Sequence, residues 1–192
     1  MSMILMIGNG PSVLDRNGGG EIDAFGGDIA RFNTFRIDGF EHDVGTRCDV
    51  WITTDRFHTW QCAHGRRQVY FMSHDQNPEE QKFLNFKGDM PQAEKIPKTS
   101  WERTKQIMEY TAPSSGAVAA YHFSKIYDHV FFYGFDFFQT EQHHYGDTVS
   151  SGTLHRPNHE LLFFQRMIQA RRVIPFLNYT NAGVENGLND TD

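Results

Sequence analysis

Ile4-Leu5-Met6-Ile7-Gly8-Asn9-Gly10-Pro11-Ser12 is the stretch that decides the fold. A short apolar run ends in a turn rich in Gly, Asn and Ser. A run of this length with no alternation reads as a strand covered on both faces, the habit of parallel sheets. The turn then falls at the carboxyl end of that strand, where ligands bind in open α/β sheets. Its exposed N–H groups make Gly8, Asn9, Gly10 and Ser12 candidates for a phosphate cradle. The stretch lacks the G-x-G-x-x-G spacing of a dinucleotide site and the Gly-Lys-Ser/Thr of a P-loop, and an ordinary tight turn fits it about as well.

Working outward, Asp28–Asn33, Asp49–Thr54, Gln68–Met72, His129–Phe135 and Val173–Leu177 read as further strands. Glu21–Phe25 reads as a short helical turn, and Pro78 opens a helix over Glu79–Phe86. Trp101–Tyr110 is helical by composition. Pro113-Ser114-Ser115-Gly116 introduces a helix over Ala117–Ile126, and Asn158 is a candidate cap for a helix whose Leu161, Phe164 and Ile168 share one face. Residues 87–99, with two prolines and several lysines, read as an exposed loop, and 185–192 as a frayed tail. Strands separated by helices predict an α/β fold, a mostly parallel sheet with helices on both faces, in a single domain over 1–192.

The 192 residues carry a net charge of −6, which argues against a general nucleic-acid binder. No apolar run reaches the roughly 20 residues of a membrane span, and the first strand begins almost at Met1, so the expected location is cytoplasmic or peripheral. Two cysteines, Cys48 and Cys62, make no disulfide framework and suit a reducing compartment.

The side chains that can do chemistry lie late in the chain. His143, His144, His155 and His159 share one polar stretch, and histidine titrates nearest neutrality. A solvated loop is the plain alternative. A metal site is disfavoured, since Pro157 breaks any continuous helix through His155 and His159 and no H-E-x-x-H or cysteine cluster is present. Ser114, Ser115 and Gly116 open a helix, which points N–H groups and the positive end of its dipole at an anion. The same residues also fit an ordinary helix cap. Asn33, ending its strand, reads either as a turn former or as a donor to a phosphate or ribose.

Together these pieces resemble the sialyltransferases of glycosyltransferase family 29. Gly8-Asn9-Gly10, Gly20-Glu-Ile22-Asp23, Asp28-Ile-Ala-Arg31-Phe32-Asn33 and Gly39-Phe40-Glu41-His-Asp43-Val44-Gly45-Thr-Arg47 are similar to its large motif. Pro113-Ser114-Ser115-Gly116 with Ile126 to Phe135, including Tyr133 and Gly134, resembles the small motif. His143-His144-Tyr145 resembles the third motif, and His155-Arg-Pro-Asn-His-Glu160 the very small one. The opening Gly-Asn-Gly-Pro-Ser also resembles bacterial sialyltransferases of family 42. The disulfide that joins the large and small motifs in animal members has no counterpart, because neither cysteine lies in the small motif. This agrees with a bacterial or phage-like protein. The middle segment, 56–110, has no counterpart in the family pattern.

The resemblance implies a Rossmann-like, GT-A-like variant of the sialyltransferase type. It implies inverting transfer of sialic acid from a CMP-sialic acid donor to a glycan acceptor hydroxyl, with no metal or other cofactor. His155 is then the general base, a role the sequence leaves exchangeable with His143 or His144, and Glu160 orients the region or caps the helix start. His144, or His143 in a shifted register, stabilises the leaving phosphate with Tyr145. Gly8, Asn9, Gly10, Ser12, Asn33, Ser114, Ser115, Gly116, Tyr133 and Gly134 line the donor site, with Asn9 and Asn33 on phosphate and ribose. A transferase using another CMP-sugar such as CMP-Kdo, and a non-catalytic nucleotide- or glycan-binding module, are the alternatives.

Overall fold

The computed structural model describes residues 1–54, 67–72, 93–137, 145 and 156–177. Among these residues seven strands form one sheet: β1 (Met3–Ile7), β2 (Asp28–Phe32), β3 (Val50–Thr54), β4 (Gln68–Met72), β5 (Ala93–Lys95), β6 (His129–Tyr133) and β7 (Ile174–Pro175), in the order β5-β4-β3-β2-β1-β6-β7. Every pairing is parallel. β1 lies inside the sheet, with Ile4 opposite Asp28 of β2 and Val130 of β6. From β1 the chain builds to one side through β2–β5, then returns to the other side with β6 and β7. The reversal leaves a topological switch point between β1 and β6, the crevice in which such sheets bind ligands.

Helices cover both faces, as the alternation of strands and helices predicts. α1 (Gly19–Asp23) and α2 (Glu41–Val44) lie on one face, and α3 (Lys98–Met108), α4 (Ser115–Phe123) and α5 (Pro157–Gln169) on the other. The strand period of two sorts the side chains. Arg31 of β2 reaches the Val44 and Gly45 carbonyls at the end of α2. On the opposite face Tyr70 of β4 meets Phe123 of α4, and Phe132 of β6 meets Phe164 of α5. Ile4, Leu5, Met6 and Ile7 are all buried, which is why this strand reads as an unbroken apolar run.

Three sequence expectations need correction. Residues 93–99 are loop only at Ile96 and Pro97: Ala93–Lys95 adds the edge strand β5, and α3 begins at Lys98. Ala93 is buried with Trp51, Val69 and Phe71, while Glu94 faces solvent, so charges suited to an edge strand masked its pairing. Asn158 does not cap α5; Arg156 holds the cap position, and Pro157 takes the first helical position, where its missing N–H costs nothing. The last strand is confined to Ile174–Pro175. The helix expected over Glu79–Phe86, residues 87–92 of the expected loop, the tail at 185–192 and Cys62 lie outside the described residues. Cys48 is buried, its thiol directed at the Val50 carbonyl.

Candidate active site at the sheet switch point

The Gly8–Ser12 loop is built against the end of β6. The Gly8 N–H donates to the Tyr133 carbonyl (2.7 Å) and the Gly10 N–H to that of Gly134 (3.0 Å). Asp136 accepts from the Ser12 N–H (3.0 Å) and from the Ser12 hydroxyl. The loop's N–H groups at Gly8, Gly10 and Ser12 are therefore spent inside the protein. A phosphate cradle made of these donors, as the sequence suggested, is replaced by a fixed seam between β1 and β6. The glycines serve close approach. A Cβ on Gly8 would overlap the Gly134 carbonyl oxygen, and one on Gly10 would come within 2.5 Å of the Asp136 carboxyl carbon. Gly134 itself has φ +74, a conformation that suits glycine.

What the seam presents is Asn9. Its amide Nδ2 donates to the Phe32 carbonyl (3.2 Å), which fixes the orientation of the group. Asn9, expected on the phosphate or ribose, thus spends one Nδ2 hydrogen on Phe32, and its Oδ1 is buried with no partner among the described residues. Asn33 follows directly after Phe32. It adopts φ +48, a left-handed geometry that Asn tolerates, and its Oδ1 is likewise buried and unmatched among the described residues. Its N–H and carbonyl are held by the Ile52 carbonyl and the Trp51 indole. Two orphaned acceptors at neighbouring strand ends are costly unless a ligand donates to them.

Tyr145 props this arrangement. Its N–H donates to the Asn9 carbonyl (2.8 Å), and its hydroxyl donates to the Arg36 carbonyl (2.6 Å). Burial raises its pKa. The hydroxyl expected on a leaving phosphate is thus committed to the backbone, and Tyr145 positions Asn9. Tyr133 reaches the seam through its carbonyl, while its buried hydroxyl sits on the α1 side near Gly18, its pKa pushed up to about 12 by desolvation.

Phe135 brings the α4 terminus to the same edge. Its ring lies against Gly8 and so close to Gly116 that a Cβ there would clash. Ser114 caps α4, its hydroxyl oxygen accepting from the Ala117 N–H (3.1 Å). The helix leaves the N–H groups of Ser115 and Gly116 without intrahelical partners. Behind Ser114 stands Glu160 of α5, 1% exposed. Its Oε1 accepts from the Ser114 N–H (2.7 Å) and its Oε2 from the Ser114 hydroxyl (2.8 Å). Burial raises the Glu160 pKa to about 7, although both bonds from Ser114 pull it down. Out of contact with solvent, Glu160 is a positioning residue.

The raised pKa sets a stability trend. Between its ordinary value near 4.5 and about 7 the folded chain holds a proton that the unfolded chain releases, so stability falls as pH rises through this window. Glu160→Gln removes the ionisation. Its melting temperature is expected to gain on the wild type as pH is raised from 5 to 8, and a constant difference would contradict the assignment.

Asp136 lies outside the motif stretches, and Phe135, the last residue of the small-motif stretch, was not singled out as a site builder; the strand ending in Gly-Phe-Asp is the signal that could have found both. The structure gathers Gly8, Asn9, Gly10, Ser12, Asn33, Gly134, Tyr145 and, through Phe135, Ser114–Gly116 with Glu160. His143, His144 and His155 lie outside the described residues. His159 bonds the Met108 carbonyl through Nδ1 (2.9 Å) and stacks on Tyr110, a packing role. Among the described residues no group of three or more His, Cys, Asp or Glu side chains is placed to hold a metal. No helix among them is long and apolar enough to cross a membrane.

No protein-family model and no curated protein sequence matches the chain. Solved structures do match. A crystal structure of a mammalian sialyltransferase superposes with a TM-score of 0.68, covering 91% of this chain and 68% of that one at 15% identity. A mammalian sialyltransferase in complex with Gal-beta-1-3GalNAc-ortho-nitrophenol gives a TM-score of 0.67, covering 91% and 69% at 15% identity. The chain has a sialyltransferase-like fold, an α/β Rossmann-like sheet that is parallel throughout the described residues.

Proposed function

We propose that the protein is an inverting glycosyltransferase of the family 29 type, moving sialic acid from CMP-sialic acid to a glycan hydroxyl. The observation that carries this reading is the pair of buried carbonyl oxygens of Asn9 and Asn33, unmatched among the described residues, at the carboxyl ends of β1 and β2 beside the switch point of a sialyltransferase-like sheet. Acceptors suit the donor's hydroxyl or amino hydrogens, so Asn9 and Asn33 take the nucleoside. The phosphate then falls to the first-turn N–H groups of α4 at Ser115 and Gly116.

The reaction breaks the bond between the anomeric carbon and a phosphate oxygen. Charge grows on the phosphate as CMP leaves, and oriented protein donors stabilise it. An acceptor hydroxyl attacks the opposite face of the sugar and loses its proton. On the motif resemblance, His155 takes that proton and His144, or His143, assists the departing phosphate.

Incubation with CMP-sialic acid or CMP-Kdo and a panel of glycans tests the proposal. The expected result is free CMP together with an acceptor heavier by one sialyl residue, in the presence of a chelator. CMP release without glycan product would indicate donor hydrolysis. Nucleotide binding without turnover would indicate a binding module. For the nucleoside contacts, Asn9→Ala is expected to weaken CMP binding by about tenfold, the worth of one buried hydrogen bond. Unchanged affinity by calorimetry would remove Asn9 from the site.

A further inference from the structure

We propose that Glu160 controls which way the Ser114 hydroxyl points, so that protonation of this buried carboxyl turns the α4 terminus into a better seat for the donor phosphate. The inference rests on the reading of Ser114–Gly116 as the phosphate site, and it assigns that site a proton-dependent state.

The hydrogen-bond inventory carries the argument. A serine hydroxyl has one hydrogen and two acceptor lone pairs. With Glu160 ionised, both carboxylate oxygens accept from Ser114, one from its N–H and one from its hydroxyl. The Ser114 oxygen also accepts from the Ala117 N–H. The single hydroxyl hydrogen is thus spent on Glu160. Placing a proton on Oε2 reverses that contact. Glu160 then donates to the Ser114 oxygen, the oxygen keeps its bond from Ala117, and its own hydrogen is released to a ligand. Oε1 continues to accept from the Ser114 N–H. No heavy atom has to move, and one proton is taken from solvent.

The second effect has the same sign. An ionised carboxylate behind the cap neutralises the positive end of α4, and protonation restores it for an anion. The surroundings leave Glu160 free to act as the titrating group. α5 packs on α3 and α4. On α5, His159 bonds the Met108 carbonyl, and Arg166 bonds the Ile107 carbonyl and pairs with Glu109; Arg156 precedes the helix. On α3, Lys98 pairs with Glu102, Arg103 bonds Gln106, and Lys105 lies over Trp101. On α4, His122 meets Ser100. None of these accounts for the raised pKa, which comes from burial opposed by Ser114.

The test uses the methyl phosphodiester of CMP, whose single phosphate charge does not titrate near neutrality. Its affinity is measured by calorimetry from pH 5.5 to 8.5. The wild type is expected to bind about tenfold more tightly at the acid end, the worth of one hydrogen bond to a charged oxygen. Binding near pH 7 should take up protons, seen as a heat that depends on the buffer's ionisation enthalpy. Glu160→Gln can accept from the Ser114 N–H and donate to its oxygen, as the protonated acid does. It should bind tightly across the whole range. Ser114→Ala has no hydroxyl to release and should bind weakly, with a flatter profile. Tight binding by the wild type that ignores pH, or a Glu160→Gln profile matching it, overturns the inference and leaves the nucleotide reading standing. Absence of binding at every pH overturns the nucleotide reading and the inference with it.

Discussion

A Gly8→Ala chain is expected to melt about 10 °C below the wild type and to lose CMP binding. The added Cβ would overlap the Gly134 carbonyl oxygen and lie 2.8 Å from its carbon. Both are backbone atoms, so no side chain can swing aside. Gly134 cannot retreat either, because it already sits at φ +74 with the Val13 side chain against it. Overpacking typically costs about 1–3 kcal/mol, and with backbone atoms on both sides of the overlap the upper end applies here. In a chain of this size each kcal/mol lowers the midpoint by about 2–4 °C. The shift would part β1 from β6 and break the Gly8 and Gly10 bonds that hold Asn9 in place. Gly20→Ala is the matched control. No atom lies within 4 Å of the new methyl, and the position is inside α1, so alanine should be neutral or mildly stabilising. A Gly8→Ala chain that melts with the wild type would show that the seam is looser than described.

His155→Ala is expected to cut sialyl transfer by about 10²–10⁴-fold, the usual contribution of a positioned general base. CMP binding should stay near the wild-type level, because the groups assigned to the nucleotide are Asn9, Asn33 and the α4 terminus. The prediction follows from the motif resemblance, since His155 lies outside the described residues. Single-turnover assays with saturating donor separate the two steps. Retained turnover would pass the base role to His143 or His144. Lost CMP affinity would make His155 part of the donor seat.

The first strand and its turn were legible because a buried parallel strand writes its environment directly into a run such as Ile4–Ile7. The Ser114 cap was legible for a similar reason: a small polar residue before Gly-Ala-Val announces a helix start. The edge strand was not, because Ala93-Glu94-Lys95 buries one residue and displays charges. The direction of the Asn9 amide was not legible either. It is decided by the Phe32 carbonyl, a partner far away in sequence. The same holds for Asp136, which meets the Gly8–Ser12 loop from beyond the end of β6 and takes the Ser12 N–H and hydroxyl. Glu160 was visible as the last residue of a motif, but its pairing with Ser114 belongs to the packing of α5 on α4.

The placement of the donor at the β1–β6 switch point is tested most directly by titrating CMP into uniformly ¹⁵N-labelled protein and following the backbone amide and asparagine side-chain resonances. The expected shifts centre on Gly8–Gly10, Asn33 and Ser114–Gly116, with the side-chain amides of Asn9 and Asn33 among the largest. Shifts centred elsewhere on the protein, or none at millimolar CMP, would contradict the assignment of this edge as the nucleotide site.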